Sequence, residues 1–410
     1  MIAHVLPHPL SGRVAAVKSK SYAHRLLIAA ALSGGRVAFG DSDDARYTAR
    51  ALEALGFTAT FDGDSVAYGA FRPSDEVKRI EVGESGSTLR FLLPLAAALG
   101  VQADLVTAGR LGERPMGALT ETLSGHGVTA TAHSVRGRLA SGVYEIDATI
   151  SSQFVTGLLL ALPLLAGDSE IRLLGRAVSA PYIDITLEVL AQAGVEIVKT
   201  PTGFLVPGGQ TYRLTDAVVP GDFSGAAFPL VAGALGDGVT LTGLSLLSAQ
   251  GDKAVLDVIR LAGGVVTVSE EGITAKKGAL RAFRVNVGET PDLAPILSVL
   301  AAYATGESVL DGVARLRDKE SDRLAAIEEM LAAAGIASRE EGDSLVIAGG
   351  VPTGGVFDSR SDHRMAMSAA ILAAFAKGES RVSDMTCVKK SYPGFWEDFA
   401  GLGGRYAVER

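Results

Sequence analysis

The stretches LEALGF at 52–57, LSGHGV at 123–128, LAQAGV at 190–195, LAGGVV at 261–266, LAAAGI at 331–336 and, more weakly, AGLGGRY at 400–406 are six copies of one event. In each, an Ala- or Leu-rich segment stops at glycine and passes into a β-branched or aromatic stretch. One such helix end is commonplace, because glycine enters the left-handed backbone region without a steric penalty. Here the glycines are Gly56, Gly127, Gly194, Gly264, Gly335 and Gly403, separated by 71, 67, 70, 71 and 68 residues. Near-constant spacing along a whole chain marks an internal repeat.

A second series keeps the same phase. Polar residues precede an apolar helix that again ends at glycine in KSKSYAHRLLIAAALSGG, ESGSTLRFLLPLAAALG, ISSQFVTGLLLALPLLAG, GDFSGAAFPLVAGALG, TPDLAPILSVLAAYATG and SDHRMAMSAAILAAFAKG. Ser21, Ser87, Ser152, Ser224, Asp292 and Asp362 mark it, in steps of 66, 65, 72, 68 and 70. Each unit therefore holds two helices, with β-rich segments such as IEVGES, ADLVTAG, GVYEIDAT and RLLGRAV between them. The pattern predicts a mixed α/β (α+β) fold.

Ser, Thr and Asp at helix starts are ordinary caps. Three of these starts also carry cations, Lys20 with Arg25, Arg90 and Arg364. A helix N-terminus already attracts anions through its free N–H groups and its dipole. If corresponding helices pack side by side, their polar starts gather into one anion-binding surface.

At 410 residues the chain exceeds the size of a single core, and 48% apolar with 20% charged residues makes it globular, with two domains as the simplest count. The net charge of −8 disfavours nucleic acid as a partner, since nonspecific affinity for it rests on Lys and Arg. The longest nearly uncharged stretch, Phe154 to Gly167, contains Pro163 and is too short to span a membrane, so it reads as a buried core helix. The N-terminus shows no signal or transit pattern, which predicts a cytoplasmic protein. Cys387 is the only cysteine, and the six histidines are scattered, so neither a disulfide nor a metal site is expected.

Three clusters carry candidate chemistry. Lys20, Ser21 and Arg25 combine a point charge, a hydroxyl and a guanidinium fork at one helix start. Arg114 stands in a Gly- and Pro-flanked loop, GRLGERP. Lys319-Glu320-Ser321-Asp322-Arg323 opens a helix, and Asp362-His363-Arg364 and Lys389-Lys390-Ser391 add cations further on. Capping and surface ion pairs account for Ser321 and Asp322 alone, and Asp292 after Pro291 is by itself most simply a cap.

Taken in order, KSxxxxR at 20–25, ESGSTLR at 84–90, ERP at 113–115, SSQF at 151–154, SAPYIDIT at 179–186, GD at 221–222, PD at 291–292, KESDR at 319–323, DHRMAM at 362–367 and CVKKSYP at 387–393 resemble the 5-enolpyruvylshikimate-3-phosphate synthase family. The resemblance implies two domains of three βαβαββ units each, with the active site in the interdomain cleft. It implies residues 1–18 plus 221–410 as a discontinuous domain on the phosphoenolpyruvate side, 19–220 as an inserted domain on the shikimate 3-phosphate side, and hinges near 12–20 and 215–222. It implies transfer of the enolpyruvyl group of phosphoenolpyruvate to the 5-hydroxyl of shikimate 3-phosphate by addition and elimination, releasing phosphate, on the chorismate route to aromatic amino acids. No metal or organic cofactor is implied, a monomer is expected, and Gly86 beside phosphoenolpyruvate implies sensitivity to glyphosate.

Carried over by position, Lys20, Ser21, Arg25, Ser151, Ser152, Gln153, Ser179, Tyr182, Asp292 and Lys319 fall to shikimate 3-phosphate. Lys20, Gly86, Arg114, Gln153, Arg323, Arg364 and Lys390 fall to phosphoenolpyruvate. Asp292 is the expected acceptor of the hydroxyl proton, Glu320 and Lys20 share the protons at carbon, and His363 assists. Crowding by other cations is expected to lower Lys20. Two places depart from the family pattern: Glu84 and Ser87 replace Asn and Thr, and Arg315 stands where a polar amide is common. An acid beside an anion pocket must be paired or turned away.

The rival within the same fold, a UDP-N-acetylglucosamine enolpyruvyl transferase, calls for a Lys-Asn pair and a mid-domain cysteine, where this chain has Lys20-Ser21 and a cysteine only near its C-terminus. A noncatalytic phosphoanion-binding relative is disfavoured by Lys20, Asp292 and Glu320 together. A repeat-built interaction scaffold predicts polar end caps and no convergent charge.

Overall fold

The repeats fold as strand, helix, strand, helix and two closing antiparallel strands, a hairpin in all but the last, and the plan is seen most plainly in the third. There, strand Val143–Asp147 leads through helix Ser152–Ala161 to strand Ser169–Leu174, and helix Pro181–Gln192 leads to strands Val198–Thr200 and Gly203–Val206. The first two strands run parallel, with Val143 opposite Glu170, and the second pairs antiparallel with the fourth, with Ile171 opposite Phe204. A parallel pair needs a crossover, and the helix supplies it. The structure, a computed structural model, describes residues 1–409 and contains six such four-stranded sheets.

The repeat is out of step with the chain ends. The first sheet takes its leading strand from Asp216–Val218, paired parallel with Arg36–Ala38. Ser11–Ala15 leads the fourth sheet beside Gly238–Thr242. Ile2–Leu6 lies inside the last sheet, between Ser380–Val382 and Arg405–Glu409. Two compact units result: Met1–Ser19, Pro220–Leu247 and Gly251–Arg410 form a discontinuous unit, and Lys20–Val219 with Ser248–Gln250 form an inserted one. Ser19, Pro220 and Ser248–Gln250 fall on the other side of the boundary from that expected from the sequence. Tyr22 explains the last of these, because its Oη lies 3.2 Å from Ser248 Oγ and accepts from Ala249 N at 3.3 Å.

Each unit has its own core. In the discontinuous unit, helices Phe223–Leu235, Ala294–Ala302 and His363–Phe375 pack on one another, and every residue of the first is buried. A helix apolar on all sides belongs in an interior. Gly233 lets that helix press on its sheet, since a Cβ there would meet Ala275 O at 2.5 Å. In the inserted unit, helices Gly86–Leu99 and Lys20–Ser33 both pack on Ser152–Ala161. The core helix expected over 154–167 is shorter: it ends at Ala161 and gives way to a single turn, Leu162–Leu164, at Pro163, which has no N–H to continue the ladder. No helix among the described residues is long and apolar enough to cross a membrane.

Candidate active site

In the inserted unit, Lys20 opens helix Lys20–Ser33 and donates from Nζ to Asp44 Oδ2 at 2.9 Å. Asp44 lies in the first turn of helix Asp43–Leu55, where free N–H groups favour a carboxylate. The nearest charge to Lys20 is therefore an acid, not the crowd of cations expected. One turn on, Thr48 donates to Asp44 O at 3.4 Å, and its hydroxyl lies 2.6 Å from that of Thr88. Thr88 in turn donates to Ser85 Oγ at 2.7 Å, and Ser85 caps helix Gly86–Leu99. A buried polar chain thus ties Lys20 to the Gly86 loop. His24 joins it, with Nδ1 2.7 Å from Thr48 Oγ1. Burial, reinforced by Lys20 and Arg25 against the pull of Asp44, pushes that imidazole down to about 3.

Gly86 stands between two guanidinium groups. A Cβ there would lie 2.9 Å from Arg114 Nη1 and 3.4 Å from Arg90 Nη1, so a side chain fits only if an arginine moves. Arg90 donates to Gln153 Oε1 at 2.5 Å and to Pro115 O at 3.3 Å, and Gln153 Nε2 donates to Ser87 Oγ at 3.0 Å. Arg114 forms no ion pair among the described residues, and its Nε is buried without a hydrogen-bond partner. A half-buried cation in that state calls for an anion. Glu84 does not interfere: it is exposed, with its carboxylate lying over Gly109.

Arg25 is only 2% exposed. Its Nε donates to Thr186 Oγ1 at 2.8 Å, Nη1 to Ser21 O at 2.6 Å, and Nη2 to Tyr182 O at 2.8 Å and Thr156 Oγ1 at 3.3 Å. The guanidinium that sequence reasoning gave wholly to substrate is largely taken up in joining three helices, and burial pushes it down to about 9. It also brings Ser21 and Tyr182 together. Ser151 caps helix Ser152–Ala161 by accepting from Gln153 N at 3.3 Å. Ser179, a buried non-glycine residue, holds a φ of 53°, a strained conformation of the kind that clusters at functional sites.

The discontinuous unit gathers acids around arginines. Asp292 lies in a single turn, Pro291–Leu293, and its carboxylate takes up ion pairs in place of the simple cap expected. Oδ1 accepts from Arg323 Nη1 at 2.8 Å and Oδ2 pairs with Arg364 Nη2 at 2.7 Å. Burial works to raise this carboxyl, but Arg364, Arg323 and Lys319 outweigh it and hold it far below the usual range.

Arg323 is fully buried and shared by three acids, adding Glu320 Oε2 at 2.6 Å and Asp362 Oδ2 at 2.7 Å to Asp292. Asp362 also caps helix His363–Phe375 by accepting from Arg364 N at 2.9 Å. Lys319 lies just before helix Arg323–Ala333; burial, with Arg323 and Arg315, pushes it down to about 8 against Asp292 and Glu320. His363 is fully buried, its Nδ1 3.7 Å from Asp362 Oδ1. Lys390 ends the turn Met385–Lys390, packed on helix His363–Phe375.

Sequence reasoning missed four participants. Asp44 is signalled only by an acid pair at a helix start, and Asp362 looked like a cap. Arg90 was noted as a helix-start cation without a partner. Asp252, in the turn Gly251–Ala254, carries no signal at all. It is 3% exposed and accepts from Ser224 Oγ, and burial, then the charge of Asp292, pushes its carboxyl up to about 7.

A family model described as EPSP synthase (3-phosphoshikimate 1-carboxyvinyltransferase) matches residues 6–399. The 3-phosphoshikimate 1-carboxyvinyltransferase of Clostridium kluyveri is 39% identical over 412 residues, covering 97% of this chain and 96% of the relative. That of Methanothrix thermoacetophila is 39% identical over 419 residues, covering 98% of each. Among solved structures, an EPSP synthase from Acinetobacter baumannii aligns with a TM-score of 0.84 at 23% identity, covering 99% of this chain and 100% of that one. The enolpyruvyl transferase NikO from Streptomyces tendae aligns at 0.79 and 19% identity, covering 100% and 99%. At those identities the structural likeness speaks for the fold.

Proposed function

The chain belongs to the EPSP synthase family, and on that premise we infer that it transfers the enolpyruvyl group of phosphoenolpyruvate to the 5-hydroxyl of shikimate 3-phosphate, releasing phosphate. The observation that carries this reading is Asp292 held between Arg323 and Arg364, with Glu320 on the same Arg323 fork. The arrangement pairs a carboxylate able to accept a proton with cations able to receive an anionic donor.

Arg323 and Arg364, with Lys390, Lys20, Gly86, Arg114 and Gln153, are the proposed phosphoenolpyruvate set. Lys20, Ser21, Arg25, Ser151, Ser152, Gln153, Ser179, Tyr182, Asp292 and Lys319 are the proposed shikimate 3-phosphate set. The 5-hydroxyl gives its proton to Asp292 as its oxygen bonds to C2 of phosphoenolpyruvate, and C3 takes a proton from the Lys20 ammonium to become a methyl group. The bond from C2 to the phosphate oxygen then breaks, phosphate departs, and the methyl returns a proton, which Glu320 is placed in the sequence to handle, restoring the double bond. Arg323 and Arg364 must pass from acids to ligand during binding, which frees Asp292 for its role. The reaction belongs to chorismate and aromatic amino-acid biosynthesis, and a cytoplasmic monomer suits it.

The test is release of inorganic phosphate from purified protein, phosphoenolpyruvate and shikimate 3-phosphate. Turnover with this acceptor is expected. Release with UDP-N-acetylglucosamine and none with shikimate 3-phosphate overturns the reading.

A further inference from the structure

Helix Phe223–Leu235 packs against three elements at once: the turn Gly251–Ala254 that carries Asp252, the turn Pro291–Leu293 that carries Asp292, and helix His363–Phe375 that carries Arg364. Its first turn is fixed by Asp222, which accepts from Gly225 N at 2.9 Å, and Ser224 in that turn donates to Asp252. Asp252 and Ser224 are both buried, so their bond is a fixed part of the interior. Asp252 lies within reach of the charges of Asp292, Arg364 and Asp222.

We propose that Asp252, oriented by Ser224, is a positioning residue for the Asp292–Arg364 pair and sets how readily Arg364 turns to the carboxylate or phosphate of phosphoenolpyruvate. The inference rests on the assignment of Arg364 to that ligand. The positive charge of Arg364 acts on Asp252, and Arg364 is bound to Asp292 at 2.7 Å. An uncharged Asp252 leaves Arg364 to divide between Asp292 and an incoming anion. An ionised Asp252 draws the guanidinium back and repels the Asp292 carboxylate. Burial and the Asp292 charge keep Asp252 protonated up to about pH 7, so both states are reached near neutrality. By linkage, a bound anion that prefers the uncharged form raises the proton affinity of Asp252 by the same factor that ionisation weakens the anion.

The test compares the KM for phosphoenolpyruvate in the wild type and in Asp252→Asn between about pH 5.5 and 7.5, below the main titration of Lys319. Substrate ionisation is common to both proteins and cancels in the ratio. The ratio of wild-type to variant KM is expected to rise about two- to fourfold across this range, with the kcat ratio changing less. Ser224→Ala keeps the acid but removes its donor, so its rise in KM should move to higher pH. A constant KM ratio with Asp252→Asn, or a Ser224→Ala profile that coincides with the wild type, overturns the proposal. A wild type that turns over while these ratios stay flat sinks this inference alone, whereas no phosphate release at all sinks the assignment beneath it.

Discussion

Asp292 shows what one carboxylate can be asked to do. Two arginines hold it ionised, yet the same contacts weaken it as a base until a ligand takes them over. Asp292→Asn keeps the shape and some of the hydrogen bonding but removes proton acceptance. Steady-state assays should show kcat falling by about 10²- to 10⁴-fold with a much smaller change in KM; an unchanged kcat removes Asp292 from the chemistry. Gly86→Ala tests the opposite side of the site. Its methyl would press on Arg114 Nη1, so the KM for phosphoenolpyruvate should rise about tenfold, equivalent to roughly 1.4 kcal/mol, with glyphosate inhibition weakened in parallel. At this scale, residue types and cation clusters are legible in the sequence because charge is written in the side chain. Partnership is not: nothing near Lys20 names Asp44, and nothing in GDK at 251–253 announces that Asp252 will be buried beside Asp292.

Between residue and molecule stand the helix starts. The repeating Ser and Asp markers locate them, but the capping residue is often one or two positions earlier, as with Ser85, Ser151 and Asp222. Asp362 does two jobs, capping helix His363–Phe375 and neutralising Arg323. Asp362→Ala leaves a fully buried guanidinium short of one of its three acids and opens the cap. A loss of about 3–5 kcal/mol is expected in denaturant unfolding, far above the cost of about 1 kcal/mol for a surface cap. A loss near 1 kcal/mol would mean that Asp292 and Glu320 suffice for Arg323. Helices and repeats were readable because their periodicity is local. The 3-10 turns bearing Asp252 and Asp292 were not, since their geometry follows from what packs on them.

The order of the repeats is legible from glycine spacing, but the crossing of the chain between units is not. Ile2–Leu6 and Ser11–Ala15 find partners hundreds of residues away, and no local signal predicts such pairing. Because each unit has its own core, each also has its own response to acid. In the inserted unit, His24 is held neutral, with its imidazole pushed down to about 3 from a usual 6.5. The unfolded chain then binds the extra proton between those values, so this unit loses stability as pH falls below about 6.5. In the discontinuous unit, Asp252 runs the other way: raised from 3.8 to about 7, it binds its proton in the folded state first, so stability from this group grows as pH falls from about 7 to 4. Either displacement is worth on the order of 4 kcal/mol at most. Trp396 is the only tryptophan and sits in the discontinuous unit, so its fluorescence reports that unit alone, while far-ultraviolet circular dichroism reports both. Thermal melts by the two probes should lie close together near pH 7. Near pH 5 the dichroism should begin to fall several degrees before the fluorescence, and Asp252→Asn, uncharged in both states, should raise the fluorescence transition more near pH 7 than near pH 5 and so flatten its pH dependence. Coincident transitions at both pH values would show that the two cores unfold as one.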